Sequence, residues 1–187
     1  MGPKRDDNHE QRRRPRSLFT RFLGDRKGST AIEFTMLAIP FSMLVFAILE
    51  SCISFAGQQV LANTTDDIAR QVRTGQRRDL DKETLEDLVC ARIQFMVAEN
   101  CPGLIVDLRQ YDTFTKAAAE KIKYTADNDI DTTGFDVKPG GKGTKNMLRI
   151  FYKWPVMTDL MRRSMSNLKD GKTLHFASVT WQNEPYD

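Results

Sequence analysis

Hydrophobic positions form one long block near the N-terminus and short periodic groups after it. From Ala31 to Ala56, 26 residues carry only two charges, Glu33 and Glu50. At about 1.5 Å per residue the block makes roughly 39 Å of helix, enough to cross a hydrocarbon core of about 30 Å. The apolar region of a secretory signal is only about 7–15 residues, so this block is too long for one. It predicts a single membrane-spanning helix over residues 29–56. The helical pattern continues beyond it. Val60, Leu61, Thr64, Ile68 and Val72 recur on one side, with Gln58, Asn63, Asp67 and Arg70 on the other. Gly75 suits a helix C-cap. One helix from about Thr30 to Thr74 is therefore expected, spanning first and then laying its apolar stripe on a domain made by residues 57–187.

The later groups are shorter. A second helix is predicted from a cap near Asp81, with Leu85, Leu88, Val89, Ile93 and Met96 on its buried side. Leu104 to Leu108 reads as a strand. Lys116 to Tyr124 is ambiguous between helix and strand, and Ala126 to Asn146 reads as loop. Leu148 to Trp154 alternates as a strand that Pro155 ends, Thr158 to Leu168 suggests a short helix, and Lys172 to Trp181 a last strand. Helices first and strands later predict an α+β domain with a small antiparallel sheet. About 130 residues outside the membrane are enough for one core.

Charge sets the orientation. Of the chain's 28 basic and 25 acidic residues, the first 28 positions hold nine and four, leaving 19 and 21 beyond them. Residues 1–28 therefore form a cationic leader, and the positive-inside rule puts it in the cytoplasm. Everything past the span of this single-pass protein is then outside the cytoplasm. Arg12-Arg13-Arg14 is an orienting cluster, and the slightly acidic outer domain gives no reason to expect nucleic acid as a partner.

Three residues in the apolar block carry specific physics. A charged side chain at the centre of a spanning helix costs roughly 2.5–3.5 kcal/mol on insertion scales, so Glu33 is a functional candidate. Pro40 removes a hydrogen bond to the Met36 carbonyl and is expected to kink the helix or loosen its first turns. Glu50 lies near the outer end, where it is expected to snorkel to the interface.

Candidate chemistry is sparse. Cys52 lies in the span. Cys90 and Cys101 both lie outside, where disulfides persist, and a bridge between them would stabilise by roughly 2–3 kcal/mol in the chain-entropy model; two unpaired thiols are the alternative. His9 is in the leader and His175 in the last strand, with no Ser or Cys partner arranged by sequence. Pro139 to Thr144 lacks the Ser or Thr that must follow the lysine of a phosphate loop, because Gly143 intervenes. Asp127, Asp129 and Asp131 alternate like the first three ligands of a calcium loop, but Thr132 replaces the required glycine and Lys138 the bidentate glutamate. They are a weak calcium candidate in a loop expected to be solvated. No cofactor is expected. An enzyme would need a convergent pocket built from the outer strands and His175, so the sequence argues for assembly rather than catalysis.

Arg26-Lys27-Gly28-Ser29-Thr30-Ala31-Ile32-Glu33-Phe34, followed by Pro40 and Glu50, resembles the processing region of TadE-like pseudopilins of the Tad (Flp, type IVc) pilus system. More diffuse similarity runs through Ala69-Arg70, Arg73-Thr74-Gly75, the Cys90–Cys101 segment, Phe151 to Pro155, and Asn183-Glu184-Pro185. The resemblance implies a pilin-like α+β fold and cleavage by a prepilin peptidase between Gly28 and Ser29. It also implies a processing and assembly motif at Glu33 and Phe34. The implied partners are that peptidase, other Tad pilins and pseudopilins, inner-membrane platform proteins, and the membrane itself. The chain's length suggests a minor component, in or at the tip of a pilus. The alternative is an uncleaved bitopic envelope protein whose periplasmic domain binds a ligand or protein partner.

Overall fold

The computed structural model describes residues 29–185. The leader and Gly28 lie outside the described residues. The chain divides into two units, Met1–Leu44 and Val45–Asp187.

Helix α1 runs Ser29–Arg73, within a residue of the predicted ends at both termini. It is long and apolar enough to cross a membrane. Pro40 lies inside it, where it cannot donate to Met36. The first unit contributes the turns up to Leu44, whose side chains from Thr30 to Leu37 are all exposed.

In the second unit, α1 ends as its stripe predicts. Leu61, Thr64, Ile68 and Val72 are buried, while Asn63, Asp67 and Arg70 are exposed. Gly75 follows with φ 73° and donates its N–H to the Val72 carbonyl, 3.1 Å; a left-handed residue there suits glycine because it has no Cβ. Helix α2 spans Lys82–Ile93, and the Asp81 carboxylate caps it by accepting from the Thr84 N–H. Arg92 of α2 pairs with Asp67 of α1 at 2.5 Å.

Three strands follow, β1 (Leu104–Tyr111), β2 (Lys145–Pro155) and β3 (Lys172–Gln182), with the five-residue helix α3 (Phe114–Ala118) after β1 and α4 (Asp159–Met165) after β2. They form an antiparallel sheet in the order β1-β2-β3. The α+β class and the antiparallel sheet thus hold. Strand β2 is longer than Leu148–Trp154 because polar Lys145 and Asn146 also pair on both sides, Asn146 with Gln110 and Trp181. Pro155 is its last residue and not a break before it, a position where its missing N–H costs little. As the central strand, β2 is buried without alternation from Asn146 to Tyr152.

One face of the sheet carries the main core. Val106, Leu108, Leu148, Ile150 and Ala177 meet Leu61, Ile68 and Val72 of α1 and Leu85, Val89 and Ile93 of α2. The other face packs Phe151 and Leu174 with Ile130 and Leu168, and Phe135 stacks on Phe151 at 5.6 Å. The Ala126–Asn146 stretch therefore covers this face with Ile130 and Phe135, while its Val137 joins the main core. It even adds a short parallel bridge, Leu108 with Val137. Of Lys116–Tyr124 only the first part is helical, because Thr113 caps α3.

Candidate functional site: the N-terminal helix and its seat on the domain

The predicted site residues fall on the first turns of α1. Glu33 is exposed and lies one residue before Phe34, which is 71% exposed. Thr35 Oγ1 donates to the Ala31 carbonyl at 2.8 Å, so this hydroxyl is satisfied within the helix. Ile32, Met36, Leu37, Ile39 and Phe41 also present their side chains outward. An apolar surface of this extent is stable in lipid or against other helices, and not in water. Gly28, the residue before the predicted cut, lies outside the described residues.

Within the second unit, the packed face of α1 begins at Glu50 and continues through Ser54, Gly57 and Leu61, spaced as one side of a helix. Glu50 is 7% exposed. Its carboxylate accepts from the Met157 N–H at 2.5 Å, from the Thr158 N–H at 3.2 Å, and from the Thr158 hydroxyl. The snorkelling expectation is therefore corrected: donors offered by the turn into α4 hold this carboxylate inside the protein. Thr158 in turn caps α4.

One turn on, Ser54 Oγ lies 2.9 Å from His175 Nε2, both residues buried. The histidine stacks on Trp154, ring centroids 5.0 Å apart at 19°. Burial lowers the His175 pKa to about 4, so the ring is neutral at pH 7. Trp154 then lies against Gly57, and Gln58 Nε2 donates to the Phe176 carbonyl at 2.7 Å. A serine and a histidine are thus brought together that are far apart in sequence. The adjoining cavity, lined by Gly57, Leu61, Tyr152, Trp154 and His175, holds only about 10 Å³, about one water. It is a packed junction with no room for a substrate.

The remaining candidates separate. Cys90 and Cys101 form a disulfide across a separation of 11, while Cys52 is an exposed free thiol. Asp127 pairs with Lys169 at 3.1 Å and Asp129 with Lys153 at 2.7 Å. Asp131 accepts from the Thr133 N–H at 2.9 Å. The Lys153 contact holds the Asp129 carboxyl below the usual carboxylate range. The three carboxylates thus face three different partners, and among the described residues no group of three or more His, Cys, Asp or Glu could hold a metal. The Pro139–Thr144 turn is held by side chains: Asn146 accepts from the Gly140 N–H and Asn183 donates to the Gly140 and Gly141 carbonyls.

Two of the diffuse sequence segments meet. Arg73, at the end of α1, pairs with Glu184 at 3.0 Å, and the Glu184 N–H returns to the Arg73 carbonyl. Phe151 to Trp154 forms the centre of the sheet and its contact with α1. These residues hold the domain together.

The fold is thus that of a helix-led α+β protein: an apolar helix able to cross a membrane, continuing into a disulfide-bonded domain with a small antiparallel sheet. Residues 28–70 match the family model described as TadE-like protein. The match covers Gly28 and nearly all of α1 and stops before α2 and the sheet, a narrower span than the resemblance from Arg26 to the C-terminus. Comparison with curated proteins and with solved structures returns no match. The TadE-like segment suggests a protein related to the Tad pilus.

Proposed function

We propose that the protein is a minor pseudopilin of a Tad pilus system, processed after Gly28 and assembled through α1. The observation that carries this reading is Glu33, exposed on an apolar helix inside the segment that matches the TadE-like family. A plain anchor has no use for an intramembrane carboxylate that costs roughly 2.5–3.5 kcal/mol to insert.

Cleavage between Gly28 and Ser29 leaves a new amine at Ser29. In a stack of such helices the Glu33 carboxylate of one subunit pairs with the amine of its neighbour, which offsets the cost of carrying the charge in lipid and sets the axial register. Glycine suits the cut because its bare backbone lets a peptidase approach closely, and the basic leader holds the site at the cytoplasmic face. The partners are a prepilin peptidase, other Tad pilins and pseudopilins, and the inner-membrane platform.

Glu33→Ala is the direct test of assembly. The variant is expected to insert in the membrane at normal levels but to co-purify with pilin partners at least ten-fold less. Normal co-purification and normal piliation would remove Glu33 from the mechanism.

A further inference from the structure

The second unit carries a surface beside α1 that the pilus reading does not use. Ser51 Oγ of α1 contacts Met165 Sδ of α4 at 3.9 Å, and Glu50 holds the main chain of Met157 and Thr158. The Met157–Met165 segment is thus fixed level with the last apolar turns of the helix, where Phe46, Leu49 and Ile53 are exposed. Met157 is itself 66% exposed, and Met161 and Met165 are half-buried. Interleaved with them are exposed Arg162 and Arg163. Behind α4 a surface groove of about 690 Å³ is lined by Arg162, Arg163 and Lys169 together with Asp159, which pairs with Arg162 at 2.8 Å. From Met157 to Lys172 the segment holds four basic residues (Arg162, Arg163, Lys169, Lys172) against two acidic (Asp159, Asp170). Lys169 also pairs with Asp127 and Lys172 with Asp170, so Arg163 is the cation the groove offers most directly.

We infer that the Met157–Lys172 segment is an interfacial foot that rests on the outer leaflet and takes anionic phospholipid headgroups in its basic groove; this builds on the reading that α1 spans the bilayer. Two observations argue for lipid as the occupant. The surface is continuous with the helix that enters the membrane, being bonded to it at Glu50 and Ser51. Its pattern of flexible apolar side chains beside arginines is that of a segment lying in an interface plane, with apolar groups at the acyl boundary and cations among the headgroups. Glu50 then marks where the hydrocarbon ends, because its carboxylate leaves the lipid for protein donors. This leaves Ala31–Leu49, 19 residues, close to the roughly 20 that a hydrocarbon core requires.

The test uses the full chain with Cys52 replaced by Ser, carrying one nitroxide at Phe46→Cys, Met161→Cys or Asn63→Cys, in nanodiscs of phosphatidylcholine alone or with phosphatidylglycerol. The Cys90–Cys101 bridge protects the other two thiols from labelling. In the anionic discs, oxygen accessibility relative to a water-soluble nickel relaxer should rise several-fold at Met161 over the exposed Asn63 reference, with Phe46 deeper still. Each basic residue near an anionic surface contributes about a five-fold preference. Arg163→Gln should therefore lower the docked-to-undocked ratio about five-fold there and leave it unchanged in phosphatidylcholine.

Phe46 deep with Met161 water-like in both lipids overturns the foot and leaves the spanning helix intact. Equal depth of Met161 in both lipids overturns the anionic-headgroup assignment. Spin–spin broadening at Met161 that disappears on dilution with unlabelled protein would assign the surface to a second copy and overturn the lipid. A water-exposed Phe46 would remove the spanning reading and the foot together.

Discussion

The Trp154 indole lies on the backbone of α1 at Gly57, so close that a Cβ there would come within 2.5 Å of the ring. Glycine inside a helix costs about 1 kcal/mol relative to alanine. Here that cost permits the sheet's central strand to close on the helix. Gly57→Ala gains helix propensity and loses packing, and overpacking at such a contact costs about 1–3 kcal/mol. The loss is expected to win, lowering the melting temperature by several degrees in thermal denaturation followed by tryptophan fluorescence. A rise in melting temperature would mean that Trp154 can move away.

Glu50 offers a second check. Removing its carboxylate leaves the Met157 and Thr158 N–H groups without their acceptor, at about 1–3 kcal/mol. Glu50→Ala is expected to free the segment carrying α4 and to accelerate tryptic cleavage after Arg162 and Arg163 several-fold. Glu50→Gln keeps one carbonyl oxygen as an acceptor and should fall between the variant and the native protein.

His175 predicts a pH dependence with a definite sign. Its folded pKa of about 4 lies below the ordinary value of 6.5 because burial disfavours the imidazolium. Between those values the unfolded chain binds a proton that the folded chain does not, so stability falls as pH drops. The contribution is complete above pH 6.5 and lost progressively down to about 4. Melting temperature should decline over this interval in the native protein, and His175→Gln should flatten the part of the decline above pH 4.5, where carboxylates contribute least.

The sequence was most informative where neighbouring residues carry the signal. The long apolar block and its amphipathic continuation located α1 to within a residue at each end, and Asp81 marked the start of α2. It was silent where distant residues meet. Nothing local pairs Ser54 with His175, because that contact depends on how β3 lies against α1. Asp107 and Arg149 are also illegible in advance: they face each other in the β1–β2 register and form a buried ion pair at 2.7 Å. Arg149 lies beside the ring of Phe135, 5.0 Å from its centroid, a residue of the stretch that composition marks only as loop. Glu50 stands out in the sequence as a charge near the end of an apolar helix, but its partner Met157 lies 107 residues away, beyond what periodicity can reach.

Processing after Gly28 is the central claim, and intact mass with N-terminal sequencing tests it most directly. The membrane-extracted protein should be compared from hosts with and without an active prepilin peptidase. A mature chain beginning at Ser29 only when the peptidase is present is the predicted result. A chain that keeps its basic leader in both hosts would contradict the account and leave a stable bitopic protein with an outer domain.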